Sequence, residues 1–104
     1  MKIYRLDKFI VPHKSRQEFL EKVNEIHAAL RTQAGFIQDF LLEQPLNDEA
    51  FNLVTLIEWE DASFIDTARV AVMALHKKTG FNPQEAMSRW GIKADMGTYK
   101  AVNI

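Results

Sequence analysis

The apolar positions of the chain follow two kinds of spacing. Ile3 to Val11, Phe36 to Glu43, Phe51 to Trp59 and Lys93 to Val102 are short stretches with many β-compatible residues, and each predicts a strand. After the first of these, Phe19, Val23, Ile26 and Leu30 recur at the 3.6-residue period of an amphipathic helix. Phe64, Ala68, Val72 and Leu75 do the same after the third. Pro12 closes strand one. Ser15-Arg16-Gln17-Glu18 reads as a capping box, in which the Ser15 hydroxyl accepts from the N–H of Glu18 and the Glu18 carboxylate reaches back to the N–H of Ser15. Gly35 and Gly80 stop the two helices, Asp61 or Ser63 caps the second, and Pro45-Leu46-Asn47-Asp48 has the composition of a turn. Asn82-Pro83-Gln84-Glu85 starts a third, short helix that ends at Gly91, and Gly97 marks a bulge or bend in the last strand.

The resulting order, β-α-β-β-α-(short α)-β, is that of an α+β, ferredoxin-like fold with an antiparallel sheet and both main helices on one face. At 104 residues the chain is expected to form one domain, residues 1–104. The strands do not alternate cleanly. Phe40, Leu41 and Leu42 are consecutive, as are Leu53, Val54, Thr55, Leu56 and Ile57. Adjacent strand residues point to opposite faces, so both faces of the sheet carry large apolar groups. Two helices cover only one face. The other predicts a homodimer, sheet against sheet, unless Phe81 to Trp90 and the tail fold across it.

Composition narrows the function classes. Thirteen basic and fourteen acidic residues give a net charge of −1, which removes the electrostatic motive for binding nucleic acid or an anionic membrane surface. There is no cysteine, hence no disulfide framework, thiolate nucleophile or Cys-ligated metal. The longest apolar run near the N-terminus, Phe9 to Val11, is too short for a signal or membrane segment, and a cytoplasmic protein is expected. The three histidines show no metal-ligand spacing, so no metal is expected.

Several segments together resemble the antibiotic-biosynthesis-monooxygenase domain family within the dimeric α+β barrel superfamily. They are the Phe9-Ile10-Val11 strand followed by the Glu18-Phe19-Leu20 helix, Gln33-Ala34-Gly35-Phe36 leading into strand two, Glu58-Trp59-Glu60-Asp61 at the exit of strand three, and Asp95-Met96-Gly97-Thr98-Tyr99 near the end. The resemblance spans nearly the whole chain and implies fold more specifically than activity. The family includes cofactor-independent oxygenases of polycyclic phenols, quinol oxygenases and haem-degrading enzymes. The haem-degrading branch uses an Asn on strand one, a Trp on helix two and a His near that helix's end. Here those positions look like Asp7, Thr67 and His76, and two departures of three disfavour haem degradation.

The resemblance implies a cofactor-independent monooxygenase that takes a small aromatic phenol or quinol between helices and sheet. His76 or Asp7 would be the base, Arg69 or a tyrosine such as Tyr99 would hold the anion, and Trp59 and Trp90 would wall the pocket. Each has a plainer reading. His76 can be a solvated helix-end histidine, Trp59 a core anchor, Trp90 a plug and Arg69 an exposed cation. Asp7 can be an outward-facing surface partner, and Tyr4 and Tyr99 part of a dimer core. His27, beside Ile26, reads as a boundary residue, and His13 as a loop residue. The alternative function is a non-catalytic ligand-binding or structural dimer of the same fold. An enclosed pocket with Asp7 or His76 pointing in favours the enzyme, and a pocket filled by Phe and Leu favours the alternative.

Overall fold

The computed structural model describes residues 1–104. β1 (Ile3–Pro12) leads through a single 3-10 turn, His13–Ser15, into α1 (Arg16–Leu30). β2 (Phe36–Pro45) and β3 (Ala50–Trp59) follow as a hairpin, then α2 (Ala62–Thr79), α3 (Pro83–Trp90) and β4 (Lys93–Tyr99). The sheet runs β2-β3-β1-β4 with every neighbouring pair antiparallel. This is the expected α+β, ferredoxin-like arrangement. The chain measures 40 × 40 × 18 Å, and the short dimension is that of one helical layer on one sheet. No helix is long and apolar enough to cross a membrane.

Local chemistry sets most of the boundaries. Asp61 caps α2, its Oδ2 accepting from the Ser63 N–H at 3.1 Å. Asn82 caps α3 by accepting from the Glu85 N–H at 3.1 Å, with Pro83 at the first helical position. Gly80 and Gly91, both at φ +70°, close these helices in the left-handed conformation that favours glycine.

Two expectations are corrected, and one alternative is set aside. Ser15 precedes α1, but its side chain makes no capping hydrogen bond, and the reciprocal box with Glu18 does not form. Both side chains turn instead toward the end of α3. The Ser15 hydroxyl donates to the carbonyl of Trp90 at 2.9 Å, and Glu18 Oε2 accepts from the Trp90 indole at 3.1 Å. β4 pairs with β1 in unbroken register through Gly97 and ends at Tyr99; the irregularity of the sheet lies in β2, between Phe36 and Gln38. The Phe81–Trp90 segment does not cross the second face. It lies on the helical side, where Ala86 and Trp90 join the core with Phe19 and Val23.

The two faces of the sheet follow from the register. Phe9 and Val11 of β1 and Phe51, Leu53, Thr55, Ile57 and Trp59 of β3 are buried under the helices. The alternate residues point away: Leu6 and Ile10, Val54 and Leu56, Phe40 and Leu42, with Tyr4 and Tyr99 paired at one end. No element of the chain covers this second face, and Phe40, Leu42 and Ile10 are 45%, 55% and 46% exposed.

Candidate functional site

The core under the helices is divided. Phe9, Phe19, Phe51 and Trp90 belong to one packed group, and Leu30, Ile57, Trp59 and Ala68 to another. Between them lies a cavity of ≈ 340 Å³ bounded by residues of both groups. Its floor is the sheet, with Arg5, Asp7 and Phe9 from β1, Thr55 and Ile57 from β3, and Met96 from β4. Its roof is α1 and α2. The volume lies within the range of small-molecule sites, about 300–1,000 Å³, and the lining has their usual character, mostly apolar with a few polar groups.

Five of the six residues expected at a site line this cavity: His76, Asp7, Arg69, Trp59 and Trp90. Asp7 points inward from the middle of the sheet, and its Oδ1 accepts from Arg5 Nε at 2.8 Å. Burial pushes the Asp7 carboxyl above its ordinary pKa; the hydrogen bond and charge of Arg5 offset that only in part. His76 lies toward the mouth, its ring 5.1 Å from that of Phe81. Its Nδ1 is sealed from solvent without a hydrogen-bond partner. Burial pushes its pKa down, and the nearby Lys22 ammonium adds to that, so the neutral imidazole is favoured.

Trp59 and Trp90 are both core anchors and cavity walls. Trp59 packs edge-on against Phe36 at 5.8 Å, and Trp90 against Phe19 at 5.8 Å. Arg69 sits at the rim, more than half exposed and 3.5 Å from Asp66. Tyr99 is not brought to the cavity: it lies across the sheet from it, on the uncovered face, opposite Tyr4. Tyr4 donates there to Glu58 at 3.4 Å.

The histidine that the sequence placed at a boundary is inside. His27 is 5% exposed and lines the cavity. Its Nδ1 is 2.8 Å from Asp39 Oδ2, and Asp39 also accepts from Arg31 Nη2 at 2.8 Å. Burial pushes the Asp39 carboxyl up, but the hydrogen bonds from Arg31 and His27 outweigh it and hold the pKa below its ordinary value. A signal for His27 was present in the spacing: it stands four residues after Val23 and three before Leu30, on the apolar stripe itself. Arg5 and Thr55 were also passed over, as polar residues in strands whose facing depends on register. No group of three or more His, Asp or Glu side chains converges as a metal site would require.

Residues 3–69 match the family described as antibiotic biosynthesis monooxygenase. No curated protein matches the chain. Among solved structures, SnoaB, a cofactor-independent oxygenase from Streptomyces nogalater, is 20% identical with a TM-score of 0.69, covering 99% of this chain and 95% of its own. A point mutant of MhuD, with two manganese protoporphyrin IX bound per active site, is 18% identical with a TM-score of 0.68, over 98% of this chain and 96% of its own. A conserved protein from Methanosarcina mazei Go1 is 18% identical with a TM-score of 0.65, over 96% and 92%. At these identities the likeness is one of fold. The match over residues 3–69, well over half of the chain, places it: the protein belongs to the antibiotic biosynthesis monooxygenase family.

Proposed function

We propose that the protein is a cofactor-independent monooxygenase acting on a small aromatic substrate of the phenol, quinol or anthrone type, bound between helices and sheet. The observation that carries this reading is the divided core. A chain whose only task was to present a fold has no need of a 340 Å³ gap at its centre with Asp7, Arg5, His27 and His76 around it. The cavity distinguishes this reading from a purely structural dimer, and oxygen uptake distinguishes it from a non-catalytic ligand-binding one.

The chemistry asked of the site is modest. Removing a proton from the substrate yields an electron-rich anion, which transfers electrons to dioxygen. For an anthrone-type methylene the balance is CH2 + O2 → C=O + H2O: one oxygen atom enters the product and the other leaves as water with the two methylene hydrogens. The apolar walls, Trp59 and Trp90 among them, keep bulk water from the anion. Asp7 and His76 place titratable groups at the floor and toward the mouth, beside the buried His27, and Arg69 meets an anionic substituent at the rim. A second copy of the chain covers the apolar sheet face, with Tyr99 in that interface. The absence of cysteine agrees with work in the reducing cytoplasm.

The test is oxygen uptake over a panel of anthrones, quinols and hydroxyquinones, with folded protein confirmed by circular dichroism. Uptake with one class and a one-oxygen mass gain in its product supports the reading, allowing for the hydrogens lost as water. No uptake across the panel removes it.

A further inference from the structure

We infer that His27, held by Asp39, is the proton acceptor of this cavity, and that its substrate is a neutral O–H or activated C–H acid whose anion is received beside Arg5. The inference deepens the oxygenase reading and depends on it for turnover, though not for binding.

Geometry comes first. The Asp39 carboxylate is ionised and can only accept hydrogen bonds, so the ring nitrogen 2.8 Å from it, Nδ1 of His27, carries the proton. The neutral imidazole then has its lone pair on Nε2. That nitrogen has no partner within the chain. It is also not sealed in: His76 Nδ1 is the one side-chain nitrogen or oxygen in the chain both unpaired and closed off from solvent. His27 is nevertheless almost wholly buried and lines the cavity, so the space that Nε2 meets is the cavity. Arg31, donating to both oxygens of Asp39, fixes the carboxylate in turn. A base oriented by a second group that is itself oriented is the arrangement general-base sites need.

Orientation separates His27 from the other two titratable groups: a carboxylate, Asp39 Oδ2 at 2.8 Å from Nδ1, fixes its ring. Protonation of His76 is opposed by burial and then by the Lys22 ammonium, with the Glu25 carboxylate offsetting only part of that. Asp7 already accepts from Arg5. The charged groups around His27 are Asp39 and Arg31 on one side, and Asp7 with its partner Arg5 on the floor. Each of these arginines is held by a carboxylate, Arg5 by Asp7 and Arg31 by Asp39.

Placement on the sheet locates the acceptor for the anion. Arg5, Ile57 and Asp39 stand in one cross-strand row, so Arg5 and Asp39 are about 10 Å apart at the backbone. α1 lowers His27 over this row. An acidic O–H between them gives its proton to Nε2 while the bonding electron pair stays on oxygen, facing the Arg5 guanidinium.

Two measurements test this. In protein labelled with 15N-histidine, long-range proton–nitrogen spectra should show His27 neutral with its proton on Nδ1. Adding para-nitrophenol should move the His27 Nε2 resonance and bring out the phenolate absorbance of the bound probe. A His27 ring protonated on Nε2, or one unmoved by saturating probe, overturns the inference; this arm uses the native chain and needs no turnover. In the second measurement, oxygen uptake with dithranol, a dihydroxyanthrone, is compared for the native protein, His27→Gln and Asp39→Asn. His27→Gln should lose roughly 10²–10⁴-fold in kcat with KM changed by less than about threefold. Asp39→Asn should lower kcat less and shift the proton from Nδ1 in the spectra, which a merely structural role would not do. His27→Gln turning over at the native rate overturns the inference. If the native protein takes up no oxygen on dithranol or any member of the panel, the oxygenase reading falls, and the spectral arm alone decides the proton acceptor.

Discussion

The hydroxyl of Ser15 donates to the backbone carbonyl of Trp90 at 2.9 Å, joining the start of α1 to the end of α3 across 75 positions of sequence. Ser15 is buried, and the carbonyl is one of those a helix leaves unpaired at its C-terminus. Ser15→Ala should therefore cost about 1–3 kcal/mol in urea unfolding, the penalty of a buried acceptor left without a donor. Ser15→Asp separates this role from capping. Aspartate is an excellent N-cap, yet it has no proton to give the carbonyl at neutral pH. It should be at least as damaging as alanine. Recovery of stability in Ser15→Asp would restore the capping interpretation.

Gly35 and Phe64 make a second pair that a single substitution should expose. Gly35 has φ +84°, and a Cβ built on it would collide with Cγ of the Phe64 ring. The left-handed backbone alone costs a non-glycine residue about 1–2 kcal/mol, and the ring of Phe64, packed against Trp59 and its neighbours, adds to it. Gly35→Ala should lower the Tm by more than the backbone cost explains. Combined with Phe64→Gly, which removes both the ring and the Cβ that would lie 2.5 Å away, the loss should be less than the sum of the two separate losses, because the clash is then absent. Additive losses would mean that Phe64 moves aside freely.

These pairs show what was and was not legible in the sequence. Element order, helix stripes and the two-sided sheet depend on local spacing, and they could be read. The capping box failed because Ser15 and Glu18 have competitors for their hydrogen bonds from α3, which no local pattern reveals. Gly97 reads as a bulge, but its Cβ position is occupied instead: the Tyr99 ring would lie 2.9 Å away, and the strand stays in register. Asp7 and His76 could be proposed as inward-facing because each neighbours apolar residues. The His27–Asp39 pair required knowing that β2 passes beneath α1. Its histidine was on the stripe, but its carboxylate was one strand residue among several, with a facing that the irregularity near Ile37 leaves undetermined from sequence.

The uncovered face carries its own prediction. Leu42 is 55% exposed beside Val54, and Phe40 lies beside Leu56. If a second copy covers them, the native chain should sediment at twice its monomer mass at micromolar concentration. Leu42→Glu or Leu56→Lys should convert it to a monomer with unchanged circular dichroism, since neither side chain contributes to the packing under the helices. A native monomer, or a charged variant of unchanged mass and solubility, would remove the dimer.

Asp7 and Asp39 should respond to pH in opposite directions. Burial holds the Asp7 pKa above its unfolded value, so the folded chain binds that proton more tightly than the unfolded chain does. The resulting cost to stability is absent below the ordinary aspartate range, near pH 4, and is fully present once pH has risen through the folded value. Asp7→Asn cannot ionise, and its amide oxygen can still accept from Arg5. It should raise the Tm at about pH 7 and lose that advantage at about pH 3. Asp39 has its pKa held down by Arg31 and His27 despite burial, so its contribution is present above the unfolded value and is lost as pH falls through the folded one. Asp39→Asn should therefore lower the Tm at neutral pH and matter little in acid. The contrast is informative because the two residues lie in adjacent rows of the same sheet face. A stabilising Asp7→Asn identifies Asp7 as a carboxylate kept at a cost to the fold, which is what a residue retained for the cavity rather than for packing should show. A Tm that falls at neutral pH in Asp7→Asn would instead make the Arg5–Asp7 pair a structural strut.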